Sequence, residues 1–284
     1  MRLGMIGLLW LLSSSVIAMD ALDERSLSQV SGRDGISFDL SGFVYDSKGT
    51  YTYTNTTTGT QLVLGDLYAA RSDNPDQFAD PYALYTVKRG NGLADVTYLD
   101  FPKNVLGAEK WQIAFDWRTV DGAGAFNNGA LVVHDLAMYG GGFQFSTPAD
   151  GNGLSWGLGI NLDIGSLMLR PNGRGDINNP ADPAVTNQMV LHNIHVGAVD
   201  QYGNPINQAW QIADVDAQPG QFYVAGDGSL HLGIQAPVSG TAAAGTISVG
   251  NMSFANPNPA SLHDLGASRI GSIQIQSLDI KFKQ

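Results

Sequence analysis

The stretch LVVHDLAM (131–138) decides how this chain folds. The apolar positions it shares with its copies are 1, 3, 6 and 8, here Leu131, Val133, Leu136 and Met138, so a two-residue alternation runs in, slips by one and resumes. A period of two marks a strand with one apolar face. A slip inside it marks a bulge or corner, where a residue adopts a conformation that Asp and Asn tolerate better than most side chains. Here the slip falls on Asp135. The string recurs as LVLGDLYA (62–69), MVLHNIHV (189–196), ISVGNMSF (247–254) and IQSLDIKF (275–282), with Asp66, Asn193, Asn251 and Asp279 in the equivalent place. Three copies start at 131, 189 and 247, which is 58 residues apart each time. That regularity reads as an internal repeat.

A second string lies between the copies: ISFDL (36–40), IAFDW (113–117), INLDI (160–164) and LHLGI (230–234). Alternation puts Ile36, Phe38 and Leu40 on one face and Asp39 on the other, and turns Asp116 and Asp163 outward likewise. Loops rich in Pro, Gly and Asn separate the strings, among them RSDNPDQFADP (71–81) and RPNGRGDINNPADP (170–183). The expected fold is all-β: repeated strand pairs forming an elongated β-sandwich or β-solenoid. The slipped strands would form one layer and the ISFDL-type strands the facing layer. Residues 35–284 make up this body, and 43–110, where the repeat is least clear, read as a possible insertion or subdomain.

Composition agrees. The chain has 35 Gly, only 14% charged residues and no cysteine. Lack of cysteine rules out disulfide stapling and a lipid-anchored thiol. With 26 Asp and Glu against 15 Lys and Arg, net charge is −11, the wrong sign for a nucleic-acid footprint.

The N-terminus reads as a signal peptide over 1–18, with Arg2 before the apolar run LGMIGLLWLL and Val16 and Ala18 at the small-residue positions of a cleavage site. Behind it, 19–34 form a helical hook. Asp23 caps ERSLSQV, Leu22, Leu27 and Val30 supply an apolar side, and Gly32 stops the helix. So short a helix must dock onto something.

Motifs that carry chemistry are few. GLSWG (153–157) matches a nucleophile-elbow string, but another strand follows Ser155 where that mechanism needs a helix. In HNIH (192–195), i and i+3 on a regular strand point to opposite faces, which argues against a metal pair. His195 is expected on the solvent face and His192 at the bulge. Asp73, Asp76 and Asp80 share one loop and are weak calcium candidates through their hard oxygens. RGD (174–176) falls in a loop expected to be exposed, and YTYTNTTTGT (51–60) reads as an edge strand and turn.

Residues 19–42, MDALDERSLSQVSGRDGISFDLSG, resemble the start of the mature FilA-like family of Gram-negative putative pilus-assembly proteins. The resemblance rests on Met19, Leu22, Leu27, Ser28, Val30, Gly32, Asp34, Gly35, Ile36 and Ser37. It implies a surface or fimbrial setting and carries no catalytic residues. The expected function is an exported, non-enzymatic structural or surface protein associated with pilus or fimbrial assembly. It would reside in the periplasm, on the outer-membrane surface or outside the cell. Its partners would be other pilus or cell-envelope proteins or further copies of itself, and not nucleic acid, with no cofactor beyond the calcium candidates. The alternatives are an outer-membrane β-barrel, a secreted glycan- or calcium-binding module and a secreted hydrolase.

Overall fold

A computed structural model describes residues 35–73, 81–90, 92–103, 105–106, 108–182, 184–255 and 262–282. The expected signal peptide and hook, with Leu22, Leu27, Val30 and Gly32, lie outside the described residues.

The strands come in consecutive runs that alternate between two sheets. β1 (Gly35–Phe38) leads into β2 (Val44–Thr54), β3 (Gln61–Arg71) into β4 (Tyr82–Val87), and β5 (Val96–Asp100) into β6 (Lys110–Asp121). β7 (Gly124–Met138) leads into β8 (Gly142–Ser146), and β9 (Leu154–Ile160) into β10 (Leu162–Arg170) across Asn161 alone. β11 (Met189–Ala198) is followed by β12 (Trp210–Ala213) and β13 (Gly220–Val224), β14 (Leu230–Ile234) by β15 (Ala244–Ala255), and β16 (Leu262–Gln274) by β17 (Leu278–Phe282). One sheet has the order β2-β3-β6-β7-β10-β11-β15-β16; the other has β1-β4-β5-β8-β9-β13-β14-β17, with β12 also on β9. Every place in one sheet is thus filled by the same run as in the other. The fold is one antiparallel meander of eight long strands, each interrupted at a common level, so that the meander has two arms. Backbone bonds continue the pairing through this crease: Tyr139 N–H donates to Asn161 O at 2.9 Å, and Phe101 N–H to Gly141 O at 2.9 Å.

The slip residues lie in the first arm. Asp66, Asp135 and Asn193 have φ of +48°, +56° and +51°, the left-handed region. They sit on β3, β7 and β11, which run in the same direction, one per hairpin. On the next such strand, β16, Gly266 (φ +83°) is left-handed at this level, and its N–H donates to Asn251 Oδ1 at 3.2 Å; Ser272 (φ +54°) is left-handed further along. On the intervening strands, Gly165 faces Asp135 and Gly250 faces Asn193. A Cβ at Gly165 would lie 2.9 Å from Asp135 Cβ, and one at Gly250 3.0 Å from Asn193 Cβ. The slip crosses β7, β10, β11 and β15 together, so register is kept: Trp111 pairs with Leu136, Leu136 with Ile164 and Ile164 with Ile194, while Ile113 pairs with Val133, Val133 with Leu167 and Leu167 with Leu191.

One consequence is an apolar face that runs unbroken through the slip. Its opposite face carries the most buried cluster, Ala114, Val132, Met168 and Val190, packed with Tyr68 and with Ile177 of the 171–188 loop. Arg170, 1% exposed, pins that loop from beneath. It donates to Gln188 Oε1 (2.9 Å) and to the carbonyls of Asp176 (2.7 Å), Asn179 (2.6 Å) and Arg174.

Three expectations need correcting. The two string types do not separate into layers: IAFDW lies in β6 beside the slipped strands, INLDI spans the crease, and LDIKF forms β17 in the other arm. The β14–β15 run carries one of each type, LHLGI and ISVGNMSF. Asn251 stands at a register shift between Val249 and Met252, so the ladder is interrupted there as expected, but neither it nor Asp279 is left-handed. Asn251 lies on a strand of opposite direction, and Asp279 pairs regularly with Gly233. Finally, residues 43–110 supply β2 and β3 to one arm and β4 and β5 to the other, as regular members of the meander.

Candidate functional site

Among the described residues, the meander leaves four strands at sheet ends: β2 and β16 in one arm, β1 and β17 in the other. Each has one edge of backbone donors and acceptors with no neighbouring strand, which is the surface another strand can join. β2 is 11 residues long and exposed everywhere except Ser47. Its TYTYT stretch shows Tyr51 and Tyr53 at 55% and 72% exposure. β16 runs for 13 residues and β17 for five, all five exposed. These edges are the candidate site. Turn chemistry sets the β2–β3 hairpin: Asn55 Oδ1 accepts from the N–H groups of Thr57 (2.9 Å) and Thr58 (3.1 Å), so the NTTTGT turn holds the edge strand in place.

The crease carries the polar groups. Glu109, fully buried, accepts from Leu40 N–H through Oε1 (2.7 Å), while its Oε2 has no hydrogen-bond partner among the described residues. Burial raises its pKa above the ordinary carboxylate value. On β10, Asp163 accepts from Tyr139 O–H (2.8 Å) and pairs with His195 Nδ1 (2.8 Å), and the His195 bond holds its pKa below the usual range. On the apolar side, Trp111 Nε1–H donates to Tyr82 O–H at 3.4 Å, and the two are 7% and 6% exposed. Burial pushes the Tyr82 hydroxyl up to about 12. A cavity of about 360 Å³ opens beside the crease between Tyr85, Tyr98, Asp100, Lys103, Gln144 and Gln211. Its tyrosine rings stack at 5.2 Å, and Tyr85 O–H donates to Asp100 at 2.8 Å. Aromatic faces beside amides and a carboxylate can hold a polar ring, but no nucleophile with a base lies among the groups named.

The residues singled out from sequence are scattered. Asp73 is held by Arg71 through both oxygens (2.7 and 2.9 Å) and accepts from Lys110 N–H, so its lone pairs are engaged within the chain. Asp76 and Asp80 lie outside the described residues. Among those described, no group of three His, Cys, Asp or Glu side chains could hold a metal ion. Ser155 sits inside β9, paired with Ser146 on one side and Gln221 on the other, not on a strand-to-helix turn. His192 and His195 share a face, contrary to the regular-strand expectation, because Asn193 shifts the alternation between them. They nevertheless serve different partners, Ser253 (3.2 Å) and Asp163. Arg174 of RGD is paired with Asp116 (3.0 Å), and Asp176 N–H donates to Asp182 (2.6 Å), which builds the tripeptide into its loop. Arg170 and Glu109 were missed by sequence reasoning; a lone charge beside an apolar strand was the only signal available. Comparisons of the chain with protein-family models, curated proteins and solved structures found no match.

Proposed function

We propose that this is an exported, non-enzymatic structural or surface protein that takes part in pilus-type assembly in a Gram-negative envelope by β-strand pairing. The observation that supports it is the pair of long exposed edge strands, β2 and β16, at opposite ends of one sheet. A subunit that can accept strands at two different edges can be joined head to tail, and a heterologous contact of that kind extends rather than closes. The resemblance of residues 19–42 to the FilA-like family agrees with this setting. The test is fractionation of a tagged chain in its native host with surface protease, beside a variant lacking Met19–Gly32. Protease access or recovery in sheared fibres for the full chain, lost in the truncation, is the expected result. Periplasmic solubility of both would sink the reading.

One observation favours a second reading, an outer-membrane β-barrel. Leu84, Leu99, Phe143 and Leu158 form an apolar row across β4, β5, β8 and β9, half-buried or exposed, while Ser155, Asn161 and Ser166 of the β9–β10 run are buried. Apolar outside and polar inside is the barrel pattern. Heat-modifiable migration of a detergent-extracted protein would support it.

A further inference from the structure

We propose that β17 is a self-complementary dimer edge: two copies of this chain pair antiparallel through LDIKF (278–282), about a twofold axis at Ile280. The inference deepens the assembly reading and rests on it for the setting, but not for the geometry.

β17 is the end strand of its arm, with β14 on one side and no described strand on the other. Its alternation separates two faces. Leu278, Ile280 and Phe282 stand on one, at 43%, 41% and 48% exposure; Asp279 and Lys281 stand on the other and are exposed as well. In an antiparallel pair centred on Ile280, residue i faces residue 560 − i of the other copy, because directly opposed positions sum to twice the central one. Ile280 therefore meets Ile280 of the second copy, and Leu278 meets its Phe282. On the other face, Asp279 meets Lys281 of the second copy, and Lys281 meets its Asp279. Opposite charges directly across a pair favour it and like charges oppose it, so this register is matched in hydrophobicity and in sign at all five positions. The apolar surface continues inward over Phe222, Val224 and Leu154, at 40%, 53% and 39% exposure, so pairing at the edge brings two such patches side by side. A C2 contact of this kind is isologous and closes on itself, leaving β2 and β16 of each copy open for extension.

Within one copy, Asp279 pairs with His231 Nδ1 (2.8 Å) and Lys281 with Asp227 (2.6 Å). This separates inter-copy from intra-copy effects. Lys281→Asp alone sets carboxylates against each other across the axis, and Asp279→Lys alone sets ammonium groups against each other. The double variant D279K/K281D restores opposite signs across the axis but breaks both intra-copy pairs.

The experiment is sedimentation velocity of the full chain and these three variants, with circular dichroism to show that each is folded. The expected result is a dimer for the parent, a dimer dissociation constant weakened about tenfold or more in each single variant, and recovery to within about threefold in the double variant. A second measurement uses the absence of cysteine. Ile280→Cys should be coupled to itself by a short bis-maleimide, whereas Tyr202→Cys, at a 79% exposed turn, should not. A monomer at all concentrations, a dimer indifferent to the charge variants, or failure of Ile280→Cys to couple would each overturn the proposal. Surface localisation together with a monomer would remove this dimer and leave the assembly reading standing. A β17 dimer found soluble in the periplasm would do the reverse.

Discussion

At the scale of single residues, left-handed backbone explains why Asp and Asn recur in one string. An L side chain at positive φ costs roughly 1–2 kcal/mol, and Asp and Asn bear it best after glycine. Asn193 is exposed, so its backbone can be tested with little interference from packing. Asn193→Gly should leave the unfolding free energy, read by urea titration, within about 0.5 kcal/mol of the parent. Asn193→Val should destabilise by about 1–2 kcal/mol or more, since it adds a β-branched side chain at φ +51° beside Gly250. Equal effects of the two substitutions would show that the conformation is not what selects the residue. The slip was legible in sequence because the alternation itself changed phase. The left-handed Gly266 was not, because a glycine carries no sign of which conformation it adopts.

Among the elements, the 171–188 loop shows how a long connection becomes part of the core. Pro, Gly and Asn marked it as a turn-rich loop, and RGD suggested exposure. Gly175 and Asp176 are indeed exposed, but the loop's inner side is held to the core, with Ile177 on the apolar cluster and three of its carbonyls on the Arg170 guanidinium. Arg170→Met keeps much of the stem but leaves those carbonyls and Gln188 without their donor. The expected outcome is a loss of about 3 kcal/mol in stability and new protease cleavage within 171–188, read by limited proteolysis and mass spectrometry. Unchanged cleavage would mean that Ile177 and the Asp176–Asp182 contact suffice to hold the loop.

For the whole molecule, the arrangement of runs has a mechanical consequence. Because every long strand belongs to both arms, neither arm is a separate stretch of chain, and neither can lose its strands without pulling on the other. Unfolding should therefore be one cooperative transition. Trp210 and Trp156 report on the β9–β12 region of one arm and Trp117 on β6 of the other. Single-tryptophan variants retaining either site should give superimposable denaturant curves; two separated midpoints would show that the crease acts as a hinge between independent units.

The strand content, the phase slip at Asp66, Asp135 and Asn193 and the exposed Thr-rich edge were all contained in the amino-acid sequence. Each depends on side-chain alternation within a few neighbouring residues, which a linear chain displays directly. The pairing of eight long strands into two arms, the inward turn of Arg170 and Glu109, the Lys110 N–H bond to Asp73 and the place of β17 at the end of its sheet were decided only in three dimensions. They depend on which distant strands become neighbours, and residues 69 positions apart, as Leu40 and Glu109 are, share no local pattern that could announce their contact.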